Sequence, residues 1–270
     1  PAVAGFTLNP NGTWSFDATN PAYNGLKAGE QLPVSISYTV DDGQGGTSTS
    51  TLVITVTGTN DAPTATAATA IATEGQPAPV TGTLVATDPD GDALTFSVNP
   101  SNPAVAGFTL NPNGTWSFDA TNTAYNGLKA GEQLPVTVNY TVDDGQGGTS
   151  TSTLVITVTG TNDAPTAVAA TAIATEGDTT PVTGQLTGSD PDGDALTFSL
   201  TPSTPAVAGF TLNPNGTWSF DATNPAYNGL KAGEQLPVSI SYTVDDGQGG
   251  TSTSTLVITV TGTNDAPTAV

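Results

Sequence analysis

Thr159-Gly160-Thr161-Asn162-Asp163-Ala164-Pro165-Thr166-Ala167 occurs three times in the chain, at 57–65, 159–167 and 261–269, at a constant offset of 102 residues (159 − 57, 261 − 159). A run of β-branched residues leads into each copy, and proline stops strand pairing directly after the Asn-Asp-Ala. Asn-Asp at such a point sets hard oxygen donors at a joint between folded units. The stretch reads as a hinge between tandem modules, with a cation as its lock.

The rest of the chain follows the same period. Trp14, Trp116 and Trp218 are spaced by it, as are Tyr38, Tyr140 and Tyr242. The 270 residues therefore divide into the C-terminal part of a repeat (1–61), two complete repeats (62–163 and 164–265) and the start of a further linker (266–270). A chain that opens inside a repeat is expected to be a piece of a longer protein. Each repeat reads in period two. Val34, Ile36, Tyr38 and Val40 alternate with Ser35, Ser37 and Thr39, and Leu52, Ile54 and Val56 form the inward row of a threonine-rich run. Asn9-Pro10-Asn11-Gly12 is a hairpin turn. The periodicity predicts strands near 64–72, 80–86, 93–98, 107–110, 115–118, 134–142 and 149–159 in the first complete repeat, and no helix. Seven strands in about a hundred residues predict an immunoglobulin-like β-sandwich. The fold class is all-β, with sandwiches arranged end to end as a rod.

Composition narrows the function. There are 24 acidic and 3 basic residues, a net charge of −21. No basic face exists to neutralise phosphate, which excludes nucleic acid as a partner, and an anionic membrane surface repels such a chain. No apolar run approaches the roughly 18–20 residues that cross a bilayer. Histidine, cysteine and methionine are absent, so a metal site must be built of oxygen, the ligand set of Ca²⁺ or Mg²⁺.

The acids are clustered. Thr-Glu-Gly (Glu74, Glu176), Asp-Pro-Asp-Gly-Asp (from Asp88 and from Asp190) and Asp-Asp-Gly (from Asp41, Asp143 and Asp245) recur, joined by Glu30, Glu132, Glu234 and the linker Asn-Asp. In a sandwich the turn after the second strand and the turn after the sixth share the end at which the linker enters. Those acids then face the base of the preceding repeat, and such a carboxylate crowd suits Ca²⁺, which takes 6–8 oxygens. An EF-hand is rejected: the twelfth position from Asp88 is Asn99 and from Asp190 is Thr201, where a bidentate glutamate is required. With the acids at joints rather than in a cleft, and no histidine, no enzyme is read.

GTLVATDPDGDALTFSV (82–98), NPNGTWSFD (111–119), YTVDDGQGG (140–148) and TLVITVTGTNDAP (153–165) together resemble the VCBS-type repeat of giant bacterial RTX and biofilm adhesins. The resemblance implies a secreted, cell-surface extender of many copies holding an adhesive domain away from the cell. Its partners are then neighbouring repeats of the same chain and, in a fibre or biofilm matrix, other copies. The arrangement is also similar to cadherin repeats. Carried over residue by residue, that similarity implies Ca²⁺ ligands Glu74, Glu132, Asn162, Asp163, Asp190, Asp192 and Asp245 at one joint. At the joint before it the implied ligands are Glu30, Asn60, Asp61, Asp88, Asp90 and Asp143, with Asp92 and Asp194 left for ions inside a repeat. The alternatives are repeats that bind a glycan or protein ligand, with Tyr23, Tyr125 and Tyr227 as loop aromatics, or lateral assembly through edge strands.

Overall fold

The computed structural model describes residues 2–101, 103–202 and 206–266. The last three residues of the third linker copy, 267–269, lie outside them. Two compact units are present. One is built from the residues up to Ala72 with Gln76–Ala120 and Pro135–Val158; the other from Thr73–Gly75, Thr121–Leu134 and the residues from Thr159 on. The units cut across the 102-residue repeats, because the base turns around Glu74 and Lys129 group with the repeat that follows them.

In the second unit, residues 164–265 form a sandwich. One face is a four-stranded sheet in the order Ala170–Thr175, Thr251–Thr261, Gln235–Asp245, Thr197–Leu200. The other is Val182–Gln185, Thr217–Phe220, Phe210–Leu212. The Thr251–Thr261 strand alternates as its sequence demands: Leu256, Ile258 and Val260 have no exposed surface, and Val257 and Thr259 between them are only half-buried on the other side. Ile240, Tyr242 and Val244 answer from the neighbouring strand, and Phe220 closes the core from the opposite sheet. Pro237 is tolerated in a long strand because pairing with Thr197–Leu200 covers only Tyr242–Asp245, which leaves an open edge beside the proline.

Two strands expected to be continuous are interrupted. Thr166–Ala167 pairs with Gly188–Ser189, after which the chain crosses and Ala170–Thr175 joins the four-stranded sheet in parallel with Leu256–Thr261. Tyr242 pins the crossing by donating its hydroxyl to the Val168 carbonyl. Thr64–Ala65 and Ala68–Thr73, and Val80–Thr83 and Ala86–Thr87, repeat both breaks. Counted through their breaks, the strands among the described residues are seven per complete repeat.

Gly184 shows why a weak strand residue is kept. It pairs with Trp218, and a Cβ there would lie 2.5 Å from the indole, so only glycine lets the ring lie flat on the neighbouring strand. Among the described residues there is no α-helix; the one departure from the all-strand expectation is a 3₁₀ turn, Pro21–Tyr23, capped by Asn20 accepting from the Ala22 N–H at 3.1 Å.

The opening segment contributes two hairpins, Phe6–Leu8 with Trp14–Phe16 and Gln31–Asp41 with Thr47–Thr57. Trp14 is 50% exposed there, against 5% for Trp218 in a complete sandwich.

Candidate metal centre

The acidic turn organises itself. Asp190 Oδ1 accepts the N–H groups of Asp192 at 3.0 Å and Asp194 at 3.1 Å, and Gly193 takes the positive φ of +72° that lets the chain double back. Single carboxylate oxygens of Asp190, Asp192 and Asp194 come within 4.8 Å of one another. The turn at Asp88, Asp90 and Asp92 does the same in the first unit.

In the second unit the linker is threaded onto this turn by backbone hydrogen bonds. Asp163 donates its N–H to Asp192 Oδ2 at 2.9 Å, and Thr161 donates to Glu74 Oε2 at 2.9 Å. Asn162 donates its side-chain amide to Asp246 Oδ2 at 2.8 Å. Asp246 in turn accepts the N–H groups of Gln248 and Gly250 at 2.7 and 3.0 Å. A Cβ at Gly250 would stand 2.1 Å from Asp246 Oδ2, so the glycine is what lets the turn close on Asn162. On the side of the preceding repeat, Gly160 is tied to Gly131 and Glu132 by reciprocal backbone bonds of 2.9 and 2.8 Å.

Glu74, Asp190 and Asp192 thus each commit one oxygen to a backbone N–H and leave the other free. Glu74 Oε1, Asn162 Oδ1, Asp163 Oδ2, Asp190 Oδ2 and Asp192 Oδ1 are buried without a hydrogen-bond partner. Glu74 and Asp192 are almost fully enclosed. Burial, reinforced by the charges of Asp163 and Asp192, pushes the Glu74 carboxyl above the usual range against the opposing Thr161 N–H. Asp163 is raised likewise, by burial and then by Asp192 and Asp190. Unpartnered buried carboxylates carry a desolvation penalty that a bound cation relieves. These four carboxylate oxygens and the Asn162 amide oxygen are hard donors, the ligand type of a divalent ion such as Ca²⁺. Among the described acids, single carboxylate oxygens of Asp190, Asp192 and Asp194 lie within 4.8 Å of one another.

The first unit builds the same centre on one side. Asp61 donates its N–H to Asp90 Oδ2 and Asn60 its amide to Asp144 Oδ2, both at 2.8 Å. Asn60 Oδ1, Asp88 Oδ2 and Asp90 Oδ1 are left buried and unpartnered.

The side chains of the remaining residues read from the sequence make other contacts. Glu30 and Glu132 are exposed and accept the N–H groups of Lys27 and Lys129 in their own turns, each at 3.1 Å. Asp143 and Asp245 accept from Gly145 and Gly247 at 2.6 and 2.7 Å. The side chains brought to the linker are instead the next ones, Asp144 and Asp246, which are buried. Strand parity carries that signal: Tyr140, Val142 and Asp144 alternate inward, so Asp143 faces out. Hydrogen bonding from the Asn162 amide, then from the turn, lowers the Asp246 pKa, and Asn60 does the same for Asp144.

Asp92 and Asp194 meet lysines. Lys27 Nζ lies 2.5 Å from Asp92 Oδ1, and Lys129 Nζ lies 2.5 Å from Asp194 Oδ1. The loop tyrosines are core residues: Tyr227 is 5% exposed, packs tilted against Phe220 with ring centroids 5.2 Å apart and donates to the Ala208 carbonyl. Tyr23 is placed in the same way, and Tyr125 is 4% exposed. That removes the aromatic loop surface on which a ligand-binding reading depends.

Sequence comparison finds the bacterial cadherin-like domain at residues 60–160 and 162–262, and a bacterial Ig domain at 2–55. No curated protein sequence matches the chain. Among solved structures, mouse Cadherin-23 EC22-24 superposes with a TM-score of 0.56 at 14% identity, covering 97% of this chain and 83% of that one. Protocadherin Gamma C5 EC1-3 gives 0.57 at 16% identity over 95% and 86%, and mouse Protocadherin-24 EC1-3 gives 0.52 at 17% over 97% and 88%. At these identities the likeness is one of fold.

Proposed function

The chain belongs to the family of bacterial cadherin-like domains, and on that premise we propose that it is an extender segment of a secreted bacterial surface adhesin, stiffened by Ca²⁺ at the joints between its repeats. The repeats run 62–163 and 164–265, and each carries load to the next rather than performing chemistry. The reading rests on one observation above all: the five buried oxygens without partners, on Glu74, Asn162, Asp163, Asp190 and Asp192, come from the base of one repeat, the linker and the top of the next.

A bound Ca²⁺ supplies the divalent charge that these oxygens lack. The protein's own part is preorganisation. The Thr161 and Asp163 N–H groups fix one oxygen of Glu74 and Asp192, which sets the direction of the second. Asp246 holds the Asn162 amide so that its oxygen, not its nitrogen, is left free. Rigidity follows because binding requires the base of one repeat, the linker and the top of the next to be held together, and a ligand taken only by that arrangement stabilises it.

Small-angle scattering of the 270-residue chain in millimolar calcium and in chelator tests the reading. A stiff particle in calcium that becomes more compact and flexible in chelator supports it. Identical profiles overturn it.

A further inference from the structure

Lysine is the only basic residue type in the sequence, and its three copies, Lys27, Lys129 and Lys231, keep the repeat period. In a chain of net charge −21, three basic side chains are too few to be a general device for solubility. Two of them reach over 65 residues of sequence to the third aspartate of an acidic turn, with the same Nζ–Oδ1 distance of 2.5 Å. Their backbones are fixed. Lys129 accepts from the Glu132 N–H at 2.8 Å and donates its own N–H to Glu132 Oε2, while Gly131 and Glu132 bond to Gly160 of the linker. Asp194 is only 15% exposed at its side chain, whereas Lys129 is 55% exposed. The ammonium therefore comes in from solvent over an aspartate belonging to the three-carboxylate cluster.

We infer that Lys27 and Lys129 are tethered counter-ions that clip the linker joint through Asp92 and Asp194 and withdraw that aspartate from the divalent-ion set. An exposed ion pair contributes at most about 1 kcal/mol, so the clip is a weak one. Its larger effect is on charge. An ammonium fixed within a Debye length (about 8 Å) of the cluster repels a second cation and reserves the centre for the ion held by Glu74, Asn162, Asp163, Asp190 and Asp192. The withdrawal from the ion set rests on the calcium reading above; the clip does not.

Two measurements on the 270-residue chain test the inference. The first is amine acylation by an N-hydroxysuccinimide acetate in chelator at low salt, read by mass spectrometry. Lys231 is the internal reference, since no acidic turn follows it within this sequence. Lys27 and Lys129 are expected to react up to about fivefold more slowly than Lys231. Asp194→Asn is expected to bring Lys129, and not Lys27, to the Lys231 rate. Equal rates in the wild type, or a Lys129 still slow in Asp194→Asn, overturn the clip.

The second is calcium titration calorimetry of Lys129→Gln, expected to show affinity about three- to tenfold tighter than wild type, as removal of a nearby positive charge requires. Unchanged or weaker affinity overturns the withdrawal of Asp194. A wild type that binds no calcium while Lys129 stays protected overturns the calcium reading and leaves the clip standing.

Discussion

Asn162 gives its amide nitrogen to Asp246 Oδ2 at 2.8 Å, and this one bond decides which end of the asparagine is free. The oxygen is left buried and unpartnered, as are oxygens of Asp163, Asp190 and Asp192. Replacing Asp246 by alanine removes the acceptor and frees the amide to turn. Calcium affinity measured by calorimetry is expected to fall about 10- to 100-fold, as for other residues that orient a metal ligand. Unchanged affinity would show that the orientation has no consequence for binding.

Glu74 should reverse sign with calcium. In Glu74→Gln the amide oxygen still accepts from Thr161, but the buried negative charge is gone. In chelator the variant is expected to melt a few degrees higher than wild type, where about 1 kcal/mol corresponds to roughly 2–4 °C. In millimolar calcium it is expected to melt lower. Melting curves in the two buffers, differing in the same direction, would contradict the assignment.

The pH dependence of the calcium-free chain follows from Glu74 and Asp163. Both carboxyls are raised in the folded state by burial and by neighbouring aspartates. A carboxyl raised on folding contributes stability that is fully present below its unfolded pKa and lost as pH rises through the folded value. In chelator, denaturation midpoints are expected to rise as pH falls from neutrality toward the ordinary carboxylate range near 4. In calcium the slope is expected to invert, because protons then compete with the ion. Asp144 and Asp246 are lowered, so the stability they contribute is lost only at more acid pH and does not mask the effect.

Gly160 separates packing from ion binding. A Cβ there would stand 2.4 Å from the Lys129 carbonyl oxygen and 2.5 Å from that of Leu128, both backbone atoms. Gly160→Ala is expected to cost about 1–3 kcal/mol by overpacking, equally in calcium and in chelator. A loss confined to calcium would mean that the contact serves the ion alone.

Most of the sandwich was legible because alternation is a property of the sequence itself: Tyr242, Val244, Leu256 and Ile258 declare their side by spacing. The breaks at Thr166–Ala167 and Gly188–Ser189 were not, since a strand that changes sheets keeps its propensities while it changes partners. At the centre, the spacing assigns Asn162, Asp163, Asp190, Asp192 and Glu74 to one joint, and hydrogen bonds run from Thr161 to Glu74, from Asn162 to Asp246 and from Asp163 to Asp192. The similarity to cadherin repeats points to Asp245, whereas extending the Tyr242–Val244 parity by two residues selects the buried Asp246. The lysine contacts were invisible for a different reason. Lys129 and Asp194 are 65 residues apart in two repeats, and no local pattern encodes that meeting.

Ala170–Thr175 and Leu256–Thr261, the first and last strands of the four-stranded sheet, run parallel and adjacent over six residue pairs. When the two ends of such a repeat are pulled apart, the incoming strand is drawn one way and the outgoing strand the other along their common axis. The hydrogen bonds between them then bear the tension together, in shear, and do not open one after another like a zipper. A repeat built this way yields late and all at once.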